Sequence, residues 1–234
     1  MVDIVLRGKH LRLRHYAAAR SDPCTVILAS GDGGWKGFEK KIASTMATWG
    51  YDVYGLDTRE YLRRFTHEPP LTEEEVPPDF ETLIRDAGGS PANKVILMGW
   101  SAGAALVVLA GARGNKSAIE GVAAVSLPET AFLAWHWWDW LAFLPLIGET
   151  GPRFSTLPYV PKVAPLPLMI IQSAKDRFVP EKDRDLLFSA AIHPRRRIFL
   201  HAGGHSFPGA RKRFFEELKI GLEWVRERRS EDER

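Results

Sequence analysis

A serine framed by glycines, Gly99-Trp100-Ser101-Ala102-Gly103, lies between an apolar run at 94–98 (KVILM) and a small-residue run at 104–111 (AALVVLAG). Strand-like sequence runs into helix-like sequence with only this pentapeptide between them. Such a turn is crowded, and a side chain at either glycine would collide with the neighbouring strand or helix. The feature predicts a nucleophile elbow, a tight strand-to-helix turn that lifts the Ser101 hydroxyl out of a sheet.

The rest of the chain supplies the elements that such an elbow needs. Strand-like and helix-like runs alternate from Thr25 onward, the pattern of an α/β protein. Strands are expected at 25–30, 51–56, 94–100, 121–127, 168–173 and 197–201, and helices at 35–49, 78–87, from Ser101 onward, 181–191 and 210–229. Residues 4–6 and 11–14 flank Arg7-Gly8-Lys9-His10 and read as a leading hairpin. Phe214, Leu218, Leu222 and Val225 would form the inner face of the closing helix. The expected architecture is one domain over 1–234, a mostly parallel central sheet flanked by helices.

The alternation breaks at 128–167, which reads as a cap inserted after the strand ending near Leu127. Within it, 132–147 (FLAWHWWDWLAFLPLI) is almost continuously apolar and aromatic, yet too short and too interrupted for a confident membrane span. Three readings stay open: a cap with its own core or a dimer contact, a lid over an apolar substrate pocket, and an interfacial membrane contact.

A serine hydroxyl becomes a good nucleophile when a base takes its proton and a carboxylate orients that base. An acid and a histidine should therefore follow late strands. Asp176 follows LMIIQS and His205 follows RIFLH, 75 and then 29 residues further along, in the order nucleophile, acid, histidine. Asp176 could also simply cap its turn, and Asp183 and Asp185 are rival acids placed within the next helix. Backbone N–H donors for a developing oxyanion are expected from Ala102, after the nucleophile, and from Asp32 or Gly33 in Ser30-Gly31-Asp32-Gly33-Gly34-Trp35. That glycine-rich run could instead be a plain turn, and it lacks the Lys-Ser/Thr ending of a phosphate-binding P-loop. Trp35, Trp100, Trp135 and Trp138 are the candidate substrate-binding aromatics, and Asp32, Asp57 and Glu129 could receive a cationic substrate group.

Bulk properties remove other classes. The 32 basic against 29 acidic residues leave a net charge of only +3, which is no footprint for nucleic acid. The single cysteine, Cys24, makes no internal disulfide and is expected to pack at a strand entry. His/Cys ligand spacing for a metal is missing, so neither a metal nor a cofactor is expected.

The runs at 30–35 (SGDGGW) and 55–58 (GLDT) with Tyr61, the elbow, and Gly203-Gly204-His205-Ser206-Phe207 together resemble the VirJ/AcvB family of bacterial α/β-hydrolase proteins. The resemblance spans most of the chain from about Thr25. It implies an α/β-hydrolase fold, an esterase-like activity on aminoacylated phosphatidylglycerol, notably the lysyl form, and a periplasmic setting linked to virulence and secretion. The chain departs from the family pattern at Ala105, where an acidic residue is expected, and at Ser206, in place of a second histidine. Residues 1–16 hold no apolar stretch of signal-peptide length, so a cytoplasmic location is expected if Met1 is the native start and a periplasmic one if the chain was trimmed. The expectation is thus a serine hydrolase of carboxylic esters acting on a small-molecule or lipid ester. The alternative is a noncatalytic binding or secretion-accessory protein on the same fold.

Overall fold

The structure is a computed structural model that describes residues 1–19, 24–67, 70–136 and 151–232. The chain opens with a hairpin, β1 (Val2–Leu6) and β2 (Lys9–Tyr16), and continues with β3 (Cys24–Ala29), α1 (Gly37–Thr48), β4 (Tyr51–Leu56), α2 (Thr58–Arg64) and α3 (Val76–Asp86). Then come β5 (Val95–Trp100), α4 (Ala102–Arg113), β6 (Ile119–Val125), β7 (Thr130–Phe132) and β8 (Arg153–Ser155). β9 (Leu168–Ser173), α5 (Glu181–Ala190), β10 (Arg195–Leu200) and α6 (Arg211–Asp232) complete it.

Eight strands form one sheet in the order β1-β2-β4-β3-β5-β6-β9-β10, antiparallel at β1-β2 and β2-β4 and parallel thereafter. The mostly parallel, helix-flanked sheet expected from the sequence is therefore present. Parallel strands buried on both faces need apolar side chains at every position, which is why these segments read as unbroken apolar runs. Their alternate residues feed two cores. Ile27, Leu97, Val122 and Ile170 pack with α3, α4 and α5, whereas Val26, Ile96, Ala123 and Met169 pack with α1 and α6. Phe214, Leu218, Leu222 and Val225 face inward from α6 as expected, all fully buried.

The strand order reverses at β3, whose neighbours β4 and β5 both follow it in the chain. At such a switch point the loops leaving adjacent strands diverge to opposite faces and open a crevice at the strands' carboxyl ends. The loops leaving β3 and β5 are the glycine-rich run and the elbow, so topology alone brings them side by side.

Three local differences from the sequence reading have physical causes. Helix α1 begins at Gly37 rather than Trp35, because the Trp35 N–H is taken by Asp57 Oδ2 at 3.2 Å and its indole packs into the core. The unexpected short helix α2 is started by Asp57, whose carboxylate accepts from the N–H of Glu60. The ends of the 128–167 segment are built into the body: β7 pairs with β8, and Phe154, Val160, Val163 and Leu166 are buried in the main core. The aromatic stretch 137–150 lies outside the described residues. Among the described residues, no helix is long and apolar enough to cross a membrane.

Candidate active site

Helix α4 begins immediately after Ser101, which sits at φ 55°, ψ −122°, a region that L-residues rarely adopt. The surrounding packing holds it there. A Cβ on Gly99 would stand 2.2 Å from the Gly103 carbonyl oxygen, and one on Gly103 would stand 2.3 Å from that of Ser30. The Ser101 N–H donates to the Val125 carbonyl at 2.9 Å, fixing the turn to the neighbouring strand. Strand β5, the strained turn and helix α4 thus follow one another without a break, with Ser101 at the carboxyl edge of the sheet.

Asp176 and His205, on the loops after β9 and β10, meet there. The imidazole Nδ1 of His205 lies 2.7 Å from Asp176 Oδ2, and the Asp176 side chain is fully buried. The other carboxylate oxygen accepts from the Phe178 N–H at 2.9 Å. Buried Arg184 donates to the carbonyls of Ser173 and Val179, both at 3.1 Å, and so clasps the acid loop at its two ends. The rival acids are elsewhere: Asp185 pairs with Arg197, and Asp183 lies in the first turn of α5.

His205 is also held through its backbone. Its carbonyl accepts from the Trp100 indole N–H at 3.3 Å and from the Ser126 hydroxyl at 3.2 Å. Its ring lies between Trp100 and Phe178, with centroids 5.1 and 5.0 Å away. Ser126, Phe178 and Arg184 went unnoticed in the sequence. Ser126 carries no motif, Phe178 meets His205 only because the strand ends converge, and Arg184 looks like any other basic residue of its helix.

Ser101 and His205 line one cavity of about 270 Å³ with Gly31, Asp32, Gly33, Gly34, Lys36, Phe38, Glu39, Trp100, Ser206 and Arg211. The glycine-rich run thus faces the serine, as the oxyanion-hole expectation for Asp32 and Gly33 requires. Ala102 opens α4, where the first N–H groups of a helix have no intrahelical acceptor. Glu39 is buried; burial pushes its carboxyl above the ordinary range, although the N–H groups of Glu39 and Lys36 and the Lys36 ammonium counter this. Among the described residues no cluster of His, Cys, Asp or Glu is placed to hold a metal ion.

The expected substrate-binding tryptophans separate. Trp100 lines the cavity. Trp35 does not: only 6% exposed, it donates from its indole to Tyr16 Oη at 3.2 Å and fills the space left by Gly55, where a Cβ would meet its ring at 2.2 Å. Trp135 is tied to the turn just after α2, its N–H donating to Thr66 Oγ1 at 2.8 Å and its carbonyl accepting from that hydroxyl at 3.1 Å, and it does not line the cavity. Trp138 falls outside the described residues. Asp57 is unsuited to bind a cationic substrate group, because its carboxylate serves Trp35, Glu60 and Arg14. Glu129 is engaged by the Thr130 and Ser155 hydroxyls beside β7 and β8.

Residues 23–208 match the family described as bacterial virulence protein (VirJ). No curated protein is a match to this sequence. Among solved structures, the esterase domain from a Rhodothermus marinus protein has a TM-score of 0.65 at 20% identity, with 94% of each chain covered. An enol-lactonase from Burkholderia xenovorans reaches a TM-score of 0.70 at 16% identity, covering 94% of this chain and 99% of that one. A membrane phospholipase A described as a novel bacterial virulence factor gives 0.68 at 13% identity, with 96% and 86% covered. At these identities the likeness shows the fold, and the fold is that of the α/β-hydrolases.

Proposed function

The chain belongs to the bacterial virulence protein (VirJ) family, and from that premise and the geometry around Ser101 we propose that it is a serine hydrolase of carboxylic esters. His205 takes the Ser101 proton as the hydroxyl attacks the ester carbonyl, and Asp176 holds the imidazole in the matching tautomer and stabilises its cation. The N–H groups of Ala102 and of Asp32 or Gly33 receive the oxyanion, the alcohol leaves with the proton from His205, and water activated by the same histidine releases the acyl group. One observation carries this reading: a serine on a strained elbow shares a cavity with a histidine hydrogen-bonded to a buried carboxylate.

The substrate class we propose is a lipid ester, with aminoacylated phosphatidylglycerol in its lysyl form as the specific candidate. An esterase domain and a phospholipase among the structural relatives support the general class, and the specific candidate is what the resemblance to the VirJ/AcvB family implies. Fluorophosphonate labelling of the wild type beside Ser101→Ala and His205→Ala tests the mechanism. Covalent labelling that needs both residues is expected, with hydrolysis of p-nitrophenyl butyrate falling by ~10³-fold or more in each variant. A folded wild type that neither labels nor hydrolyses any ester would leave the noncatalytic reading standing. Release of lysine from lysyl-phosphatidylglycerol, compared with release of fatty acid from phosphatidylglycerol, then separates aminoacyl from fatty-acyl cleavage.

A further inference from the structure

We propose that Lys36 and Arg211 form an anion-binding subsite of this cavity, so that the preferred ester carries a carboxylate or phosphate close to its scissile bond; this rests on the serine-hydrolase reading. Both side chains line the cavity that holds Ser101 and His205. Neither forms an ion pair with any described carboxylate, whereas Arg213, two residues from Arg211, pairs with Glu217. The Arg211 guanidinium lies 5.5 Å from the centroid of Phe38, another cavity residue, close enough for a cation–π contact that limits where it points. The Lys36 ammonium reaches over the glycine-rich run, 3.4 Å from where a Cβ on Gly33 would stand. It therefore sits beside the N–H groups that would receive the carbonyl oxygen.

A third cation reinforces the field. A Cβ on Gly34 would lie 2.9 Å from Arg59 Nε, which places that guanidinium against the same run, again without a described carboxylate partner. The two acids of the cavity differ in what they can offset. Asp32, exposed like Lys36 and Arg211, forms no ion pair with either, and buried Glu39 accepts from the Lys36 N–H at 3.2 Å while attracting the Lys36 ammonium without an ion-pair contact. Cations gathered over a concave surface raise the local concentration of anions and hold them through charge-assisted hydrogen bonds.

The anion could belong to the acyl half of the ester or to the alcohol half, and paired esters tell these apart. The acyl-side pair is p-nitrophenyl hemisuccinate against p-nitrophenyl butyrate; the alcohol-side pair is 1-butyryl-glycerol 3-phosphate against monobutyrin. In at least one pair kcat/KM should favour the anionic member by about tenfold at low salt, with the preference shrinking as ionic strength rises. Arg211→Gln with Lys36→Gln should collapse that ratio, and Arg211→Lys should restore part of it. Both positions are exposed, so the variants should keep the wild-type melting temperature. Indifference in both pairs, or a preference that survives the double substitution, would overturn the subsite.

Should the wild type neither label nor turn over any ester, the hydrolase reading fails by itself. The subsite is then judged by titration calorimetry of the Ser101→Ala protein with 1-butyryl-glycerol 3-phosphate. Binding that exceeds monobutyrin and is lost with Lys36→Gln and Arg211→Gln would sustain it. Equal binding of the two compounds would end it.

Discussion

Two glycine-rich turns meet at the carboxyl edge of the sheet, and their glycines are there for different reasons. In the elbow, a Cβ at Gly99 or Gly103 would drive into backbone at 2.2–2.3 Å, and backbone cannot step aside. In the run at 31–34, a Cβ on Gly31 would rest 3.4 Å from the Trp100 ring and 3.5 Å from Ser101 Cβ, and one on Gly33 would touch only the flexible Lys36 side chain. Of that run only Gly34 has a positive φ, +81°. The elbow glycines are requirements of folding. Those at 31 and 33 leave space, and the space opens on the serine.

The part of the second run that folding does require is its tryptophan. Trp35→Ala would empty a buried indole site between β4 and the hairpin, where Gly55 gives the ring its room. The expected cost is about 3–5 kcal/mol, read as a lowered denaturant midpoint with unchanged slope. If the variant keeps its stability while losing ester binding, Trp35 belongs to the substrate site after all and the contrast fails.

Gly103→Ala comes next, at about 3 kcal/mol of overpacking, a drop in melting temperature of roughly 6–12 °C for a chain of this size. Activity should fall with the fold, because Ser101 cannot hold φ 55° once the turn opens. A soluble, active Gly103→Ala protein at wild-type stability would contradict the close approach of α4 to β3.

Gly31→Ala should reverse that pattern. The added methyl meets side chains at ordinary contact distance, so stability should change by less than about 1 kcal/mol. It also crowds Ser101, and turnover of p-nitrophenyl butyrate is expected to fall by about tenfold. Equal losses of stability and turnover would mean that both turns answer to packing alone.

How much of this could be read in the sequence follows the range of the forces involved. Strand runs such as 168–173 were legible because burial on both faces writes an unbroken apolar run, and the inner face of α6 because burial on one face writes a helical period. The contact of Asp176 with His205, and the cavity that His205 shares with Ser101, were legible because each residue stands at a strand exit, in an order that chain direction preserves. Trp35 was misread as lining the pocket: its partners Gly55, Tyr16 and Arg14 come from other strands, and no local pattern points to them. Helix α2 was missed although Asp57 and Glu60 mark its start, because seven residues are too few to show a period. Ser126 was invisible for a further reason: it acts on the backbone of a loop distant in the chain.

The smallest expected effect probes the boundary between the two regimes, at Glu39, which caps α1 and also lines the cavity. Burial raises its carboxyl above the ordinary value in the folded protein. The folded state then holds the proton at pH values where the unfolded chain has released it, so this group's contribution to stability falls as pH rises from about 4.5 through the raised folded value. Glu39→Gln keeps an oxygen for the Lys36 N–H and removes the titration. The variant should melt slightly above the wild type at pH 7, by no more than about 2 °C, and the gap should close as pH falls toward 4. A variant less stable at pH 7 would mean that the attraction between the Glu39 carboxylate and the Lys36 ammonium outweighs burial. Lys36 would then serve the helix rather than a substrate anion, and the second turn would resemble the elbow more closely than its open glycines imply.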